Sequence, residues 1–272
     1  MRSFGALVIV LSLAMVEGKA DEAAADFIHQ ARAFREKGDY SRAEQVLRAG
    51  IEATGKASTE NNRLAELPFL LNTLGDLLRE ENRGAEARAL FERALGSREA
   101  SWQQKFSALM GIADIERMAR SWPESIGHWN EAAELARQHG DPTVEAFALR
   151  GLGDTWLDQA DTARAEPLLK RALSVLERSP SVTPERLAIA IDSLAALYRA
   201  ENKLQLAEQL WMRELTIDRT AVGENHPQTA IVKGRLADAL SVMGDYDSAK
   251  HYAAEAVDSM KSHFGDDSMA TG

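Results

Sequence analysis

Leu149-Arg150-Gly151-Leu152-Gly153-Asp154-Thr155-Trp156, followed by Ala165, Leu169 and Ala172, sets out a frame that recurs along the chain. The same frame fits Leu71, Leu74-Gly75, Leu78, Ala87, Phe91 and Ala94, and again Ile191, Leu194-Ala195, Tyr198, Ala207 and Trp211. Small residues stand where two helices must touch, and large apolar ones where they interlock. Counted at the small residue, the copies fall at Ala31, Gly75, Ala113, Gly153, Ala195 and Ala237, in steps of 44, 38, 40, 42 and 42 residues. A repeat of this size predicts a solenoid, in which each helix pair buries its apolar face on the next.

Composition agrees. Seven prolines and 6% aromatic residues in 272, with abundant Ala, Leu, Glu and Arg, favour an all-α protein. The 45% hydrophobic content is enough for an ordered core. The 32 basic and 42 acidic residues leave a net charge of −10 without a Lys/Arg cluster, which argues against a nucleic-acid partner. Cysteine is absent, so disulfides and thiolate metal sites are excluded.

The N-terminus is a separate object. Met1-Arg2-Ser3 is positively charged, Phe4 to Val16 is an apolar run of 13 residues, and Gly18-Lys19-Ala20 offers small residues for cleavage. This is the layout of a secretory signal over residues 1–20, and it predicts an exported protein, periplasmic or secreted. The run is short of the roughly 20 residues that span a bilayer, so no membrane span is expected after its removal; an uncleaved, tethered form is the alternative.

The frame resembles the tetratricopeptide repeat, whose 34-residue unit carries a large residue, Leu-Gly, an aromatic, Gly-x-Tyr, Ala, an aromatic and Ala in this order. The 42-residue steps look like the kinesin-light-chain type of that repeat, as does the joint Val222-Gly223-Glu224-Asn225-His226-Pro227-Gln228-Thr229-Ala230; Phe264 to Ala270 is a decayed copy. The resemblance covers roughly residues 24 to 265. It implies a right-handed superhelical α-solenoid of six repeats within residues 21–272, at about 24–57, 68–100, 106–139, 146–180, 188–222 and 230–264. Every step exceeds 34 residues, so longer second helices or longer joining loops are expected.

Two repeats depart from the pattern. In the third, Glu116 stands where an aromatic is expected, which predicts a looser contact or a recruited polar site. In the sixth, Lys233 replaces the first large residue, as though that helix is partly exposed. The chain stops where a seventh unit would begin, and solenoid ends need a polar outer face; an end frayed or covered by a partner, including a second copy, is expected. At the joints, Asp141 and Thr183 precede prolines and are read as side-chain caps, with Glu145 adding negative charge to the helix start.

No motif carries chemistry. His29, His128, His139, His226, His251 and His263 form no His-Glu-x-x-His pair, and neither a phosphate-binding Gly loop nor a Gly-x-Ser-x-Gly elbow occurs. Gly151-Leu152-Gly153 is helix packing. A non-catalytic chain without cofactor or metal is therefore expected; the alternative is a ligand or reaction site using Glu116. Trp122, Trp129, Trp156 and Trp211 occupy packing positions, whereas Trp102 lies outside the frame as a candidate exposed anchor.

The resemblance also implies which residues line the concave groove. Carried over by position, these are Arg32, Arg35, Asn72, Asp76, Arg79, Asp114, Arg117, Arg150, Asp154, Arg199 and Asp238. Asp76 with Arg79, and Asp114 with Arg117, are three apart and can pair along one helix face. The family's clamp for a C-terminal carboxylate uses Lys and Asn; Asn72 has no Lys to join it. The expected function is a protein-interaction scaffold that takes a peptide or partner helix in this groove, with self-assembly through the last repeat as the alternative.

Overall fold

The computed structural model describes residues 22–56 and 65–264. The expected signal, residues 1–20, and the chain beyond Phe264 lie outside the described residues. These residues form twelve α-helices in six consecutive pairs and no strand. The pairs are α1 (Glu22–Glu36) with α2 (Tyr40–Lys56), α3 (Leu67–Glu80) with α4 (Gly84–Leu95), and α5 (Trp102–Met118) with α6 (Trp122–Gln138). Then follow α7 (Pro142–Asp158) with α8 (Thr162–Arg178), α9 (Pro184–Ala200) with α10 (Leu204–Ala221), and α11 (Pro227–Met243) with α12 (Tyr246–Phe264). In the later pairs both helices are long: α5, α7, α9 and α11 each have 17 residues, and α6, α8, α10 and α12 have 17, 17, 18 and 19.

The chain divides into two compact units at Gly151 and Leu152, within α7. In the unit ending at Gly151, Leu70, Leu71, Leu74, Leu78, Ala87, Phe91 and Ala94 are wholly buried, and α1 touches α3 as α3 touches α5. Phe91 is the keystone: a Cβ placed on Gly75 or Gly111 would lie 2.7 or 2.4 Å from its ring. The absent side chains let α3 and α5 close on one aromatic. Trp129 plays the same part against Gly151. In the unit from Leu152 onward, Ala195, Ala207, Trp211, Leu215, Val232, Leu236 and Leu240 form the core.

The turn inside every pair has one geometry. Seven residues after each small residue stands Gly38, Asn82, Arg120, Ala160, Asn202 or Gly244, and all six have φ between 58° and 87°. Only two are glycine; the others hold the left-handed region at a cost that an L side chain incurs locally. The next residue caps the second helix where it can: Asp39, Asp161 and Asp245 accept from the backbone N–H of Arg42, Arg164 and Ser248. At the joints, Asp141 accepts from Val144 N–H at 2.9 Å and His226 Nδ1 accepts from Gln228 N–H at 3.2 Å. Thr183 makes no such cap; its extended backbone and Pro184 start α9 unaided.

Three further expectations are corrected by the packing. Lys233 is not exposed but 1% accessible. Its ammonium is paired with Glu224, lies 3.3 Å from Glu255 Oε2, and donates to Ser259 Oγ. Glu116 is neither a loose contact nor an open site. It is 1% accessible and held by His128 Nδ1 at 2.7 Å and Arg88 Nη2 at 3.1 Å, pinning α5 to α4 and α6. Trp102 is half-buried and stacked on His139, 4.6 Å between ring centroids. Among the tryptophans of the frame, Trp129 and Trp211 are core. Trp122 and Trp156 are half-buried, and Arg164 lies over the Trp156 ring.

Candidate functional site

The first helices of the earlier unit, α1, α3 and α5, bring five of the expected groove residues into one charged row. Arg79, with its side chain 9% exposed, sits between Asp76 Oδ1 at 3.4 Å and Asp114 Oδ2 at 3.8 Å. Asp114 Oδ1 lies 3.5 Å from Arg117 Nε. Beside them, Arg35 on α1 reaches Glu80 on α3 at 3.8 Å. The row thus runs Arg35–Glu80, then Asp76–Arg79–Asp114–Arg117. Glu80 was not foreseen, because its register falls just past the positions that the repeat pattern assigns to the groove.

These pairs are long. A charge-assisted N–H···O bond settles at about 2.7–2.9 Å, and Asp76–Arg79, Arg79–Asp114 and Arg35–Glu80 are all longer. Tight pairs do occur nearby: Arg83, at the start of α4, reaches Glu44 of α2 at 2.7 Å and Glu86 at 2.8 Å. The difference shows in the acids. Burial pushes the Asp76 carboxyl up to about 6 against the pull of Arg79, with Asp114 adding repulsion. Burial likewise lifts Glu80 to about 7, opposed by Arg35 and reinforced by Asp76. Burial disfavours the charge of Arg79, but the carboxylates of Asp114, Asp76 and Glu80 outweigh it and raise its pKa. Arg79 Nε is buried with no hydrogen-bond partner. Asp76, Arg79 and Glu80 therefore hold charges taken out of water without full compensation.

The other expected groove residues are placed differently. Asn72 is not offered to a ligand: it is 1% accessible, and its Nδ2–H donates to the Gln104 carbonyl at 2.8 Å, tying α3 to the start of α5. Gln104 also closes a capping box with Ser101 and donates to the Ala65 carbonyl. Arg32 is half-buried on α1, and Arg150 is buried on α7. In the later unit Asp154 is half-buried, while Arg199 and Asp238 are exposed.

The later unit gathers charges that the repeat pattern did not select. Arg235 of α11 reaches Asp192 of α9 at 2.6 Å and Glu214 of α10 at 3.8 Å. Trp211 Nε1–H donates to Asp192 Oδ1 at 3.0 Å, and Gln228 Nε2–H to Asp218 Oδ1 at 3.2 Å. Burial raises the Glu214 carboxyl well above its ordinary range and lifts Asp218 to about 6, with Asp192 adding to both. Glu214 was legible as a misfit, since Ala94, Ala132 and Ala172 hold its register in other repeats.

Among the described residues, no group of three His, Asp or Glu side chains is arranged to hold a metal ion, and no helix is long and apolar enough to cross a membrane.

Comparison with known proteins places this architecture. Residues 104–178 and 186–262 match one tetratricopeptide repeat profile, and residues 70–101 match another. Among curated proteins, mitochondrial tetratricopeptide repeat protein 19 of Rattus norvegicus is 33% identical over 72 residues, which span 26% of this chain and 20% of that relative. Among solved structures, BtubC (BKLC) from P. vanneervenii superposes with a TM-score of 0.67 at 18% identity, covering 83% of this chain and 92% of that one. A tetratricopeptide repeat protein from Parabacteroides merdae gives 0.50 at 18% identity, over 85% of this chain and 78% of that one. The apo quorum sensor NprR from B. thuringiensis gives 0.61 at 14%, over 90% and 67%. The helix pairs, the shared turn geometry and the profiles agree: this chain belongs to the tetratricopeptide repeat family.

Proposed function

We propose that the protein is a non-catalytic interaction module that binds an extended peptide or a partner helix on the face built by its first helices. The observation that carries this reading is the loosely paired row Asp76–Arg79–Asp114 with Arg35–Glu80. Under-compensated charges on a rigid surface are a standing cost to the fold, and a partner that supplies the missing contacts relieves it. Basic side chains would be accepted by Asp76 and Glu80, and carboxylates by Arg35.

Two finer readings belong to the same proposal. The 42-residue steps and the His226-Pro227 joint support the long, kinesin-light-chain-like subtype. The signal-like layout of residues 1–20 supports export, with action in the periplasm or outside the cell. N-terminal sequencing of the exported protein tests the latter, with a start near Asp21 expected. Self-association is a second reading, favoured by Val242 and Tyr246, which are 71% and 70% exposed at the last helix pair. Light scattering of the wild type and of a V242K/Y246K variant decides it; a monomer at every concentration excludes it.

The interaction reading is tested with D76N/E80Q, which removes the buried charges without removing volume. The variant is expected to be at least as heat-stable as wild type yet to retain fewer proteins from a native envelope extract, measured by quantitative mass spectrometry. Identical retained proteins at identical ratios would sink the reading.

A further inference from the structure

We propose that the carboxyl cluster of Asp192, Glu214 and Asp218 receives an arginine side chain of a partner polypeptide, beside the chain's own Arg235. The inference rests on the reading of the chain as a partner-binding module and adds a second site, in the later unit, with a stated ligand.

The starting point is an anomaly of register. Three residues after the large residue of the second helix, the repeats carry Ala94, Ala132 and Ala172, each fully buried, because the first and second helices meet there. The fifth repeat carries Glu214 instead, with its side chain 4% exposed. One turn on, Asp218 is 0% accessible. A methyl group satisfies the packing elsewhere, so the fold does not require either carboxyl. Nor are they satisfied: Glu214 Oε2 and Asp218 Oδ2 are buried without a hydrogen-bond partner. Buried acceptors in that condition are rare, and they call for a donor.

The donor set is incomplete by charge as well as by bonds. Among the described residues, Arg235 contacts Asp192 and Glu214 and is itself 38% exposed, one cation against the three carboxyls of Asp192, Glu214 and Asp218. The Asp218 carboxyl is lifted by burial and then by Asp192 and Glu185, and Arg235 only partly offsets this. By charge, the cluster calls for one further cation beside Arg235.

Geometry selects the kind of cation. Glu214 lies below the surface, whereas Asp192 and Arg235, on α9 and α11, form the partly exposed rim. A ligand must therefore be a long side chain carrying its charge at the tip. Arg235 shows that a guanidinium reaches this cluster, its Nη1 lying 2.6 Å from Asp192 Oδ1 and 3.8 Å from Glu214 Oε1; the fork of a second guanidinium can address separate carboxylate oxygens, whereas an ammonium presents a point charge and lacks that fork. The rim belongs to first helices, the elements expected to face a partner.

The Trp211 indole N–H, bonded to Asp192, is a built-in reporter. In proton–nitrogen NMR of the full chain, the tripeptide Ac-Ala-Arg-Ala-NH2 is titrated into the millimolar range, with its neutral citrulline counterpart as control. A saturable shift of the Trp211 indole signal with the arginine peptide only is expected. Its affinity should fall about tenfold in E214Q/D218N, the loss of one charge-assisted contact. E214A, which restores the residue used at this register elsewhere, guards against misfolding and should weaken binding likewise. No saturable shift, an equal response to citrulline, or unchanged affinity in both folded variants overturns the proposal. Because Trp211 reports this carboxyl cluster directly, either result leaves the D76N/E80Q experiment on α3 to be judged by itself.

Discussion

The ring of Phe91 occupies the space that a side chain on Gly111 would need: a Cβ there would stand 2.4 Å from Cζ. One aromatic from α4 thereby sets how closely α5 approaches, and the helix pair is locked to its successor. Mid-helix glycine ordinarily costs up to about 1 kcal/mol against alanine, so Gly111→Ala should stabilise on propensity. The clash reverses the sign. Because Phe91 is fully buried and has nowhere to turn, overpacking dominates, and a net loss of about 1–3 kcal/mol is expected in urea unfolding.

The turns supply the opposite case. Ala160 holds φ 59° and Arg120 φ 60°, where a Cβ is unwelcome. Ala160→Gly and Arg120→Gly should each raise stability by about 0.5–1 kcal/mol, since relief of the left-handed strain outweighs the greater freedom of glycine in the unfolded chain. Asn82→Gly should be nearly neutral, because asparagine tolerates this region. Thermal melts of the three variants check the order.

The charged row should make the protein respond unusually to acid. Asp76 titrates near 6 and Glu80 near 7 in the folded chain, above the values of 3.8 and 4.5 for free groups. The folded state then holds protons that the unfolded state has released, so stability falls as pH rises through this window and recovers as pH is lowered. A gain on the order of 2 kcal/mol is expected between about pH 8 and about pH 5, less than two full shifts because both carboxyls share Arg79 and are partly hydrated. D76N/E80Q should flatten that dependence, as followed by denaturant unfolding across the range.

Lys233 makes the final helix pair depend on a buried cation. Replacing it with alanine leaves a cavity beside Ser259 and withdraws the buried partner of Glu224 and Glu255, which Arg219 also contacts from the surface. A loss of about 2–4 kcal/mol is expected, with α12 the first element to exchange its amide protons. Lys233→Met keeps the volume and should recover part of the loss.

The repeat frame was readable because helix packing imposes it locally. Ala31, Gly75, Ala113, Gly153, Ala195 and Ala237 had to be small, and Phe91 and Trp211 large, whichever partner the chain binds. The pairings of Asp76 with Arg79 and Asp114 with Arg117 were readable too, since residues three apart share a helix face. The link from Arg79 to Asp114 and the link from Arg35 to Glu80 were not. Each joins side chains some forty residues apart, and local spacing carries no information about such meetings. The fate of Lys233 was misjudged for the same reason: its burial depends on Glu224 and Glu255, which approach from the preceding joint and the last helix.

By itself, then, the order of residues determined the architecture, the number of helix pairs and the positions of their joints, because backbone geometry and apolar periodicity act over one turn or one repeat. Only the tertiary structure decided which charges are buried, which are tightly paired and which are left wanting. Desolvation and Coulomb energy depend on distances across helices, and those exist only once the helices have packed.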